Sequence, residues 1–314
     1  MIDIAVVIPA FNEEQTIGDV VASFHKELPE AHIFVVDNNS TDQTQEVAKQ
    51  QYEKLNCKGK IIFEPTPGKA RAIQTAFSEI DAKTYIMVDA DMTYPADSVH
   101  QLLEPVVNNE ADMVVGDRHS LGDYKKKNDR PGHNFGNGLV KVLLSIFFKS
   151  KLRDVLSGYR VFNRKFVKNY PILCSGFNLE TEISLHALRN GFRVVEVPTP
   201  YFQRPEGSFS KLNTFRDGIN ILIMITNILK NFRPLVFFGI ISGLFFLGGL
   251  ASGFPVIHEF ILTQYVKHVP LAILATGLMI CSFSFLSIGI ILDIIQYNQK
   301  FNYQLHLLRY QEEE

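Results

Sequence analysis

Short apolar runs alternate with amphipathic stretches in the first third of the chain. Continuous apolar runs at 4–9, 33–37, 61–63 and 85–89 predict strands, because strands covered on both faces of a parallel sheet lack polar alternation. Helices are predicted over 16–28, after a cap at Thr41 or Asp42, and from Lys69 to Ser78. This alternation predicts an α/β fold with a nucleotide-binding type of sheet flanked by helices.

The pattern is less regular after Asp112. Short strands are predicted at 113–116 and 192–197, with polar, glycine-containing loops at 122–137 and 201–212. The apolar stretch at 139–148 is too short to cross a membrane.

Two uncharged runs, 235–254 and 269–292, follow in the last third. Each can cross a hydrocarbon core about 30 Å thick, which takes about 20 apolar residues in a helix. A buried hairpin in a soluble protein is the alternative. The predicted segments are a globular domain at 1–211, an interfacial helix at 212–233, a two-helix transmembrane hairpin at 234–292 and a cytoplasmic tail at 293–314.

The stretch 213–232 combines a broad apolar face with a polar stripe at helical spacing. Directly before a membrane span, this pattern favours a helix lying in the interface, with an ordinary amphipathic helix on the globular domain as the alternative. The positive-inside rule places both flanks in the cytoplasm, and no signal peptide is expected at Met1. The flanking cations are Lys211, Arg216, Lys230 and Arg233 before the spans, and Lys300 and Arg309 after them.

Charge and composition narrow the functional classes. The net charge of −2 over 314 residues provides no basic field for nucleic acid. The glycines of the first span predict close packing against a neighbouring helix, which leaves a homo-oligomer open. These glycines are Gly239, Gly243, Gly248 and Gly249.

Polar side chains follow three predicted strands, at Asn12, Asp37 and Asp89. Ligands of α/β sheets bind at the carboxyl ends of strands. Asp89 and Asp91, one residue apart, predict a site for Mg²⁺ or Mn²⁺ that keeps positions open for phosphates. The alternative for this pair is two solvated loop acids.

Two further residues carry open alternatives. Asp37 is suited to accept hydrogen bonds from a nucleobase or ribose, or else to cap a turn. Lys69, beside Gly68 at a predicted helix start, is suited to pair with phosphate or to be an exposed surface lysine.

Taken together, the motifs resemble family 2 glycosyltransferases with the GT-A fold. Two later motifs resemble those of dolichyl- and undecaprenyl-phosphate sugar synthases, and the resemblance covers residues 1–233 with the paired spans. The superfamily motifs are Val-Ile-Pro-Ala-Phe-Asn-Glu-Glu (7–14), Val-Val-Asp-Asn-Asn-Ser-Thr-Asp (35–42), Pro-Gly-Lys-Ala (67–70) and Asp-Ala-Asp (89–91). The later motifs are Asp-Val-Leu-Ser-Gly-Tyr-Arg (154–160) and Arg-Pro-Glu-Gly-Ser-Phe-Ser-Lys-Leu (204–212).

The resemblance implies roles for matching positions. The implied nucleotide-binding residues are Pro9, Ala10, Asn12, Glu14 and Asp37; the implied metal ligands are Asp89 and Asp91; the implied phosphate-binding cations are Arg118, Arg130, Arg204 and Lys211. Thr93 stands where many relatives have a glutamine, so its part in metal binding is open. The loop from Arg204 to Lys211 is longer than usual, which weakens the alignment of Lys211.

These observations predict a membrane-anchored, inverting, metal-dependent glycosyltransferase. It would move a sugar from a nucleoside-diphosphate sugar, UDP favoured over GDP, to a polyprenyl phosphate on the cytoplasmic face. The alternatives are transfer to a diacylglycerol-type lipid and a catalytically silent scaffold. A processive polysaccharide synthase is disfavoured, because its Gln-x-x-Arg-Trp motif needs a tryptophan and the chain has none.

Overall fold

The computed structural model describes residues 1–121, 152–172, 179–203, 226–227 and 229–313. These residues fall into two compact units, Met1–Leu212 and Asn213–Glu314. The first unit is an α/β domain and the second contains two long helices.

The α/β unit begins with regular alternation of strands and helices. The elements are β1 (Ile2–Ala10), α1 (Ile17–Glu27), β2 (His32–Asp37), α2 (Thr44–Leu55), β3 (Gly59–Phe63), α3 (Lys69–Glu79) and β4 (Ala82–Met87). They continue with a 3₁₀ turn (Ala96–Ser98), α4 (Val99–Val107), β5 (Met113–Asp117), β6 (Arg160–Asn163), α5 (Arg164–Lys168), α6 (Leu179–Asn190) and β7 (Val194–Pro198).

Seven strands form one sheet in the order β3-β2-β1-β4-β6-β5-β7. The strands that the apolar runs predict, β1 to β4, pair in parallel as expected, and so do β5 and β7. The additional strand β6 pairs antiparallel with both β4 and β5. The sheet is therefore mixed. Its interior strand β1 is fully buried over Ala5, Val6, Val7 and Ile8, as expected for a sheet covered on both faces.

The helices cover the sheet through apolar residues at helical spacing. In α1 the buried positions are Ile17, Val20, Val21 and Phe24. In α4, which the sequence reasoning did not predict, they are Val99, Leu102, Leu103 and Val106. Both sets follow the i, i+3, i+4, i+7 pattern of one helix face, so burial of that face stabilises each helix in its place.

The second unit is an antiparallel pair, α7 (Pro234–Thr263) and α8 (Val269–Glu313). Both helices are long and apolar enough to cross a membrane, and in the most apolar stretch of each only 11% of residues are buried. Such exposure disfavours the alternative of a buried hairpin in a soluble core. The helices meet where Ser282 Oγ donates to the carbonyl of Ser242 at 3.0 Å. Most of the predicted interfacial helix at 212–233 lies outside the described residues.

Candidate active site

The carboxyl ends of β1, β2 and β4 lie along one edge of the sheet. Ala10 is in register with Asp37, and Val7 is in register with Met87. The segments that follow these strands therefore emerge together, as the sequence predicted for Asn12, Asp37 and Asp89. This edge holds the candidate active site.

The loop after β1 is fastened to the loop after β2. Asn12 has a left-handed backbone, with a φ of 55°, and its Oδ1 accepts from the amide of Thr41 at 2.8 Å. Glu14 Oε2 accepts from the amide of Gln43 at 2.9 Å. In this structure both predicted nucleotide-binding side chains hold the two loops together. Pro9 and Ala10 form the last part of β1 beside them.

Asp37 ends β2 as a buried carboxylate, 2% exposed, and its Oδ1 accepts from the amide of Ser40 at 3.3 Å. The next residue, Asn38, donates through Nδ2 to the carbonyl of Thr66 at 2.7 Å and accepts through Oδ1 from the amide of Gly68 at 2.6 Å. Asn38 thus fixes the start of α3, where Lys69 stands. The sequence reasoning gave Asn38 no role, although its place directly after a strand end is the signal that would have indicated one.

Asp89 lies beyond the end of its strand. The predicted strand at 85–89 is wrong at its end, because β4 stops at Met87, the last residue that pairs with β6 through Arg160. Asp89 and Asp91 therefore do not occupy alternate positions of a strand, where side chains would share a face. Their positions are set instead by the side chains and turns around them.

Asp89 is enclosed by a lysine and a glycine. Lys69 Nζ lies 2.5 Å from Asp89 Oδ1 and 2.5 Å from Glu180 Oε1. A side chain at Gly158 would place its Cβ 2.2 Å from Asp89 Oδ2, so only glycine fits there. Burial by itself lowers the pKa of Lys69, but the two carboxylates outweigh it and raise that pKa. Lys69 is thus a charged, mostly buried residue of the site.

Asp91 is 3% exposed, and its Oδ1 accepts from both the amide and the hydroxyl of Thr93, at 3.1 and 2.5 Å. The carbonyl of Thr93 in turn accepts from the amide of Phe202 at 2.9 Å. Thr93 therefore orients Asp91 in this structure. Its part as a direct metal ligand stays open.

Arg118 pairs with a carboxylate that the sequence reasoning did not foresee. Its guanidinium contacts Asp154 at 2.7 Å through Nε and at 2.8 Å through Nη2, and stacks 5.3 Å from the ring centre of Tyr201. Burial raises the pKa of Asp154, but the hydrogen bonds and charge of Arg118 outweigh it and lower that pKa. Asp154 takes two of the five N–H donors of the Arg118 side chain. The predicted phosphate contact of Arg118 stays a prediction.

Two further buried or partly buried side chains, Glu196 and Arg160, hold the backbone around Asp154. Glu196 Oε1 accepts from the amide of Asp154 at 2.7 Å, and burial raises the pKa of Glu196. Arg160 is fully buried and donates to the carbonyls of Ser157 and Val155, at 2.9 and 2.6 Å. Arg160 therefore fixes the turn that carries Gly158 against Asp89.

The fit to a divalent ion can be judged from the donors at this edge. Asp89 and Asp91 are separated by one residue. Because Gly158 has no side chain, the carboxylate of Asp89 has the space that it occupies. Among the residues that the structure describes, no three His, Cys, Asp or Glu side chains form a complete metal site. Two carboxylates with the remaining positions taken by water and substrate phosphates suit Mg²⁺ or Mn²⁺. Arg130, Arg204 and Lys211 lie outside the described residues.

Comparisons with known proteins agree with this architecture. The chain is 28% identical to a glycosyltransferase, AglJ, of Haloferax volcanii, over 93% of each chain. It is 28% identical to a dolichyl-phosphate hexose transferase of the same organism, over 70% of this chain and 90% of the relative. It is 25% identical to a polyprenol monophosphomannose synthase of Mycolicibacterium smegmatis, over 64% of this chain and 78% of the relative.

A solved structure shares the fold. The glucosyl-3-phosphoglycerate synthase of Mycobacterium tuberculosis, in complex with Mn²⁺, UDP and phosphoglyceric acid, superposes with a TM-score of 0.56 at 19% identity. The superposition covers 73% of this chain and 78% of that one. The glycosyl transferase family 2 model matches residues 5–170, and with it the resemblance predicted from the motifs is confirmed. The chain belongs to glycosyl transferase family 2.

Proposed function

We propose that this glycosyltransferase moves a sugar from a nucleoside-diphosphate sugar to a polyprenyl phosphate, with inversion, at the cytoplasmic surface of a membrane. One observation carries the proposal: Asp37 at the end of β2 and the segment with Asp89 and Asp91 after β4 follow strand ends at one edge of the sheet. The same chain also has two apolar helices of membrane length. The names of the relatives for dolichyl phosphate and polyprenol support the lipid acceptor.

Asp89 and Asp91 would hold a divalent cation, which neutralises the charge that develops on the leaving nucleoside diphosphate. Asp37 and the loops fastened through Asn12 and Glu14 would bind the nucleoside, for which UDP is favoured over GDP. Lys69 adds a positive charge beside Asp89.

The acceptor phosphate is already ionised near neutral pH, so its attack on the anomeric carbon needs no strong general base. The difficulty is electrostatic, because a donor diphosphate and an acceptor phosphate must approach each other. Arg118, Arg130, Arg204 and Lys211 are the proposed cations that offset this repulsion. Catalysis then consists mainly of positioning and charge stabilisation.

Transfer of radiolabelled sugar tests the proposal on the purified full chain with Mg²⁺ or Mn²⁺, undecaprenyl or dolichyl phosphate, and a panel of UDP- and GDP-sugars. Label should enter the organic phase only when metal and polyprenyl phosphate are both present. Label on diacylglycerol alone would support the alternative acceptor. Donor binding without transfer to any lipid would support a silent scaffold.

Asp91→Ala tests the metal site in the same assay. Removing one of two carboxylate ligands should abolish metal-dependent transfer while membrane insertion is unchanged. Asp97→Ala is the matched control, since Asp97 is an exposed acid nearby in the 3₁₀ turn. Full activity of the Asp91 variant would contradict the proposed site.

A further inference from the structure

Glu180 is a carboxylate at the candidate site that neither the motifs nor the proposed mechanism uses. It lies in the first turn of α6, on the same helix face as the buried Ile183 and Ala187, and its side chain is 10% exposed. A buried acid needs a partner. Its partner is Lys69, the same ammonium that contacts Asp89.

The shared lysine creates a competition at the metal-binding carboxylate. An ammonium on Asp89 Oδ1 occupies an oxygen that a divalent cation would need. Asp89, Asp91 and Glu180 carry three negative charges and Lys69 carries one positive charge, so the group has a surplus that one divalent cation neutralises. Glu180 offers the ammonium a second place within the same site.

Hydrogen bonds also hold the helix backbone at Glu180. Ser184 Oγ donates to the carbonyl of Glu180 at 2.8 Å and accepts from Arg160 Nη1 at 3.0 Å. Arg160 also fixes the turn of Gly158, which packs against Asp89. The buried guanidinium of Arg160 thus hydrogen-bonds both to the turn that carries Gly158 and, through Ser184, to the helix backbone that carries Glu180.

From this arrangement we infer that Glu180 is a positioning residue that draws Lys69 away from Asp89 when the metal binds. Lys69 then stays at the site, paired with Glu180, with its remaining donors available to the donor diphosphate. The inference rests on the proposed metal site at Asp89 and Asp91. It assigns Glu180 a role in metal affinity that acts through Lys69.

Binding of Mn²⁺ alone to the full chain in detergent, followed by the electron paramagnetic resonance signal of the free ion, tests this inference without any turnover. In Glu180→Gln the ammonium keeps only Asp89 as a charged partner among the described residues, so metal must break that bond to bind. Affinity for Mn²⁺ should fall about tenfold, the scale of one hydrogen bond to a charged group. Glu79→Gln is the matched control, because Glu79 pairs with Lys60 at the exposed end of α3 and should bind Mn²⁺ as the unaltered chain does.

The double variant Glu180→Gln with Lys69→Met separates positioning from folding. Without the ammonium there is nothing to compete for Asp89, so Mn²⁺ affinity should return to or above that of the unaltered chain. A loss caused by misfolding would persist in the double variant and would overturn the inference, as would unchanged affinity in Glu180→Gln. If the unaltered chain itself binds no Mn²⁺, the proposed metal site fails, and the inference with it.

Discussion

The contact between Gly158 and Asp89 makes Gly158→Ala the sharpest test of the site. The new Cβ would lie 2.2 Å from Asp89 Oδ2, 2.7 Å from its Cγ and 2.9 Å from its Oδ1. An ordinary carbon–oxygen contact is about 3.3 Å, so the carboxylate must move by roughly 1 Å. Lys69 already holds the other oxygen, which limits where the carboxylate can go.

A displacement of that size at a reacting centre lowers the rate by about 10²-fold. We therefore expect kcat/KM for lipid-linked transfer to fall about 10²-fold, and Mn²⁺ affinity to fall with it. The assay is radiolabelled transfer at varied Mn²⁺, beside a Mn²⁺ titration followed by electron paramagnetic resonance. The thermal unfolding midpoint of each variant is measured to normalise for folded protein.

Gly116→Ala is the matched control. Its Cβ would meet Thr199 Oγ1 at 2.9 Å, a tight contact in the same unit that involves neither Asp89 nor Asp91. That variant should lose some stability and keep its Mn²⁺ affinity. Equal loss of Mn²⁺ affinity in both variants, or none in Gly158→Ala, would refute the reasoning.

Two further predictions concern buried ionisable groups. Asp154→Ala should lower the free energy of unfolding by about 3–5 kcal/mol, because it removes the carboxylate that contacts Nε and Nη2 of the buried Arg118 guanidinium. The paired change Asp154→Leu with Arg118→Met should recover most of that loss in denaturant titrations. Burial lowers the pKa of His186 from 6.5 to about 4. Between these two pH values the unfolded state binds a proton that the folded state does not. The free energy of unfolding should therefore fall by up to about 3 kcal/mol as pH drops from about 6.5 towards 4. In the same titrations His186→Phe should abolish this pH dependence, and a dependence that persists would show that another group is responsible.

The predictable part of the site is the part built by parallel strands. β1, β2 and β4 were recognisable as apolar runs, and their polar ends had to meet at one edge because parallel strands share a direction. The sequence alone therefore places Asp37 and Asp89 at the same edge of the sheet. The two membrane-length runs could be predicted for a similar reason, since length and the absence of charge are local properties.

The pairings within the site were not predictable, because tertiary packing selects them. β6 has only four residues, in a polar context, and takes its direction from its neighbours β4 and β5. Asp154 and Arg118 are 36 residues apart in the sequence. The residues around each give no indication that the two side chains pair. Glu180 could have been noticed as an acid on the apolar face of α6. It was not, because α6 itself was not predicted.

The position of β6 has a consequence for how the protein is made. β6 follows β4 and β5 in the chain yet lies between them in the sheet, so a nascent chain that stops before Arg160 leaves an open edge on each strand. Open edges favour aggregation, and joining them requires closing the long connection from Asp117 to Arg160, which costs chain entropy. The turn at Gly158 directly precedes β6, so Asp89 gains this neighbour only when β6 joins the sheet. We therefore expect the surroundings of Asp89 to form in the same step of folding that completes the sheet.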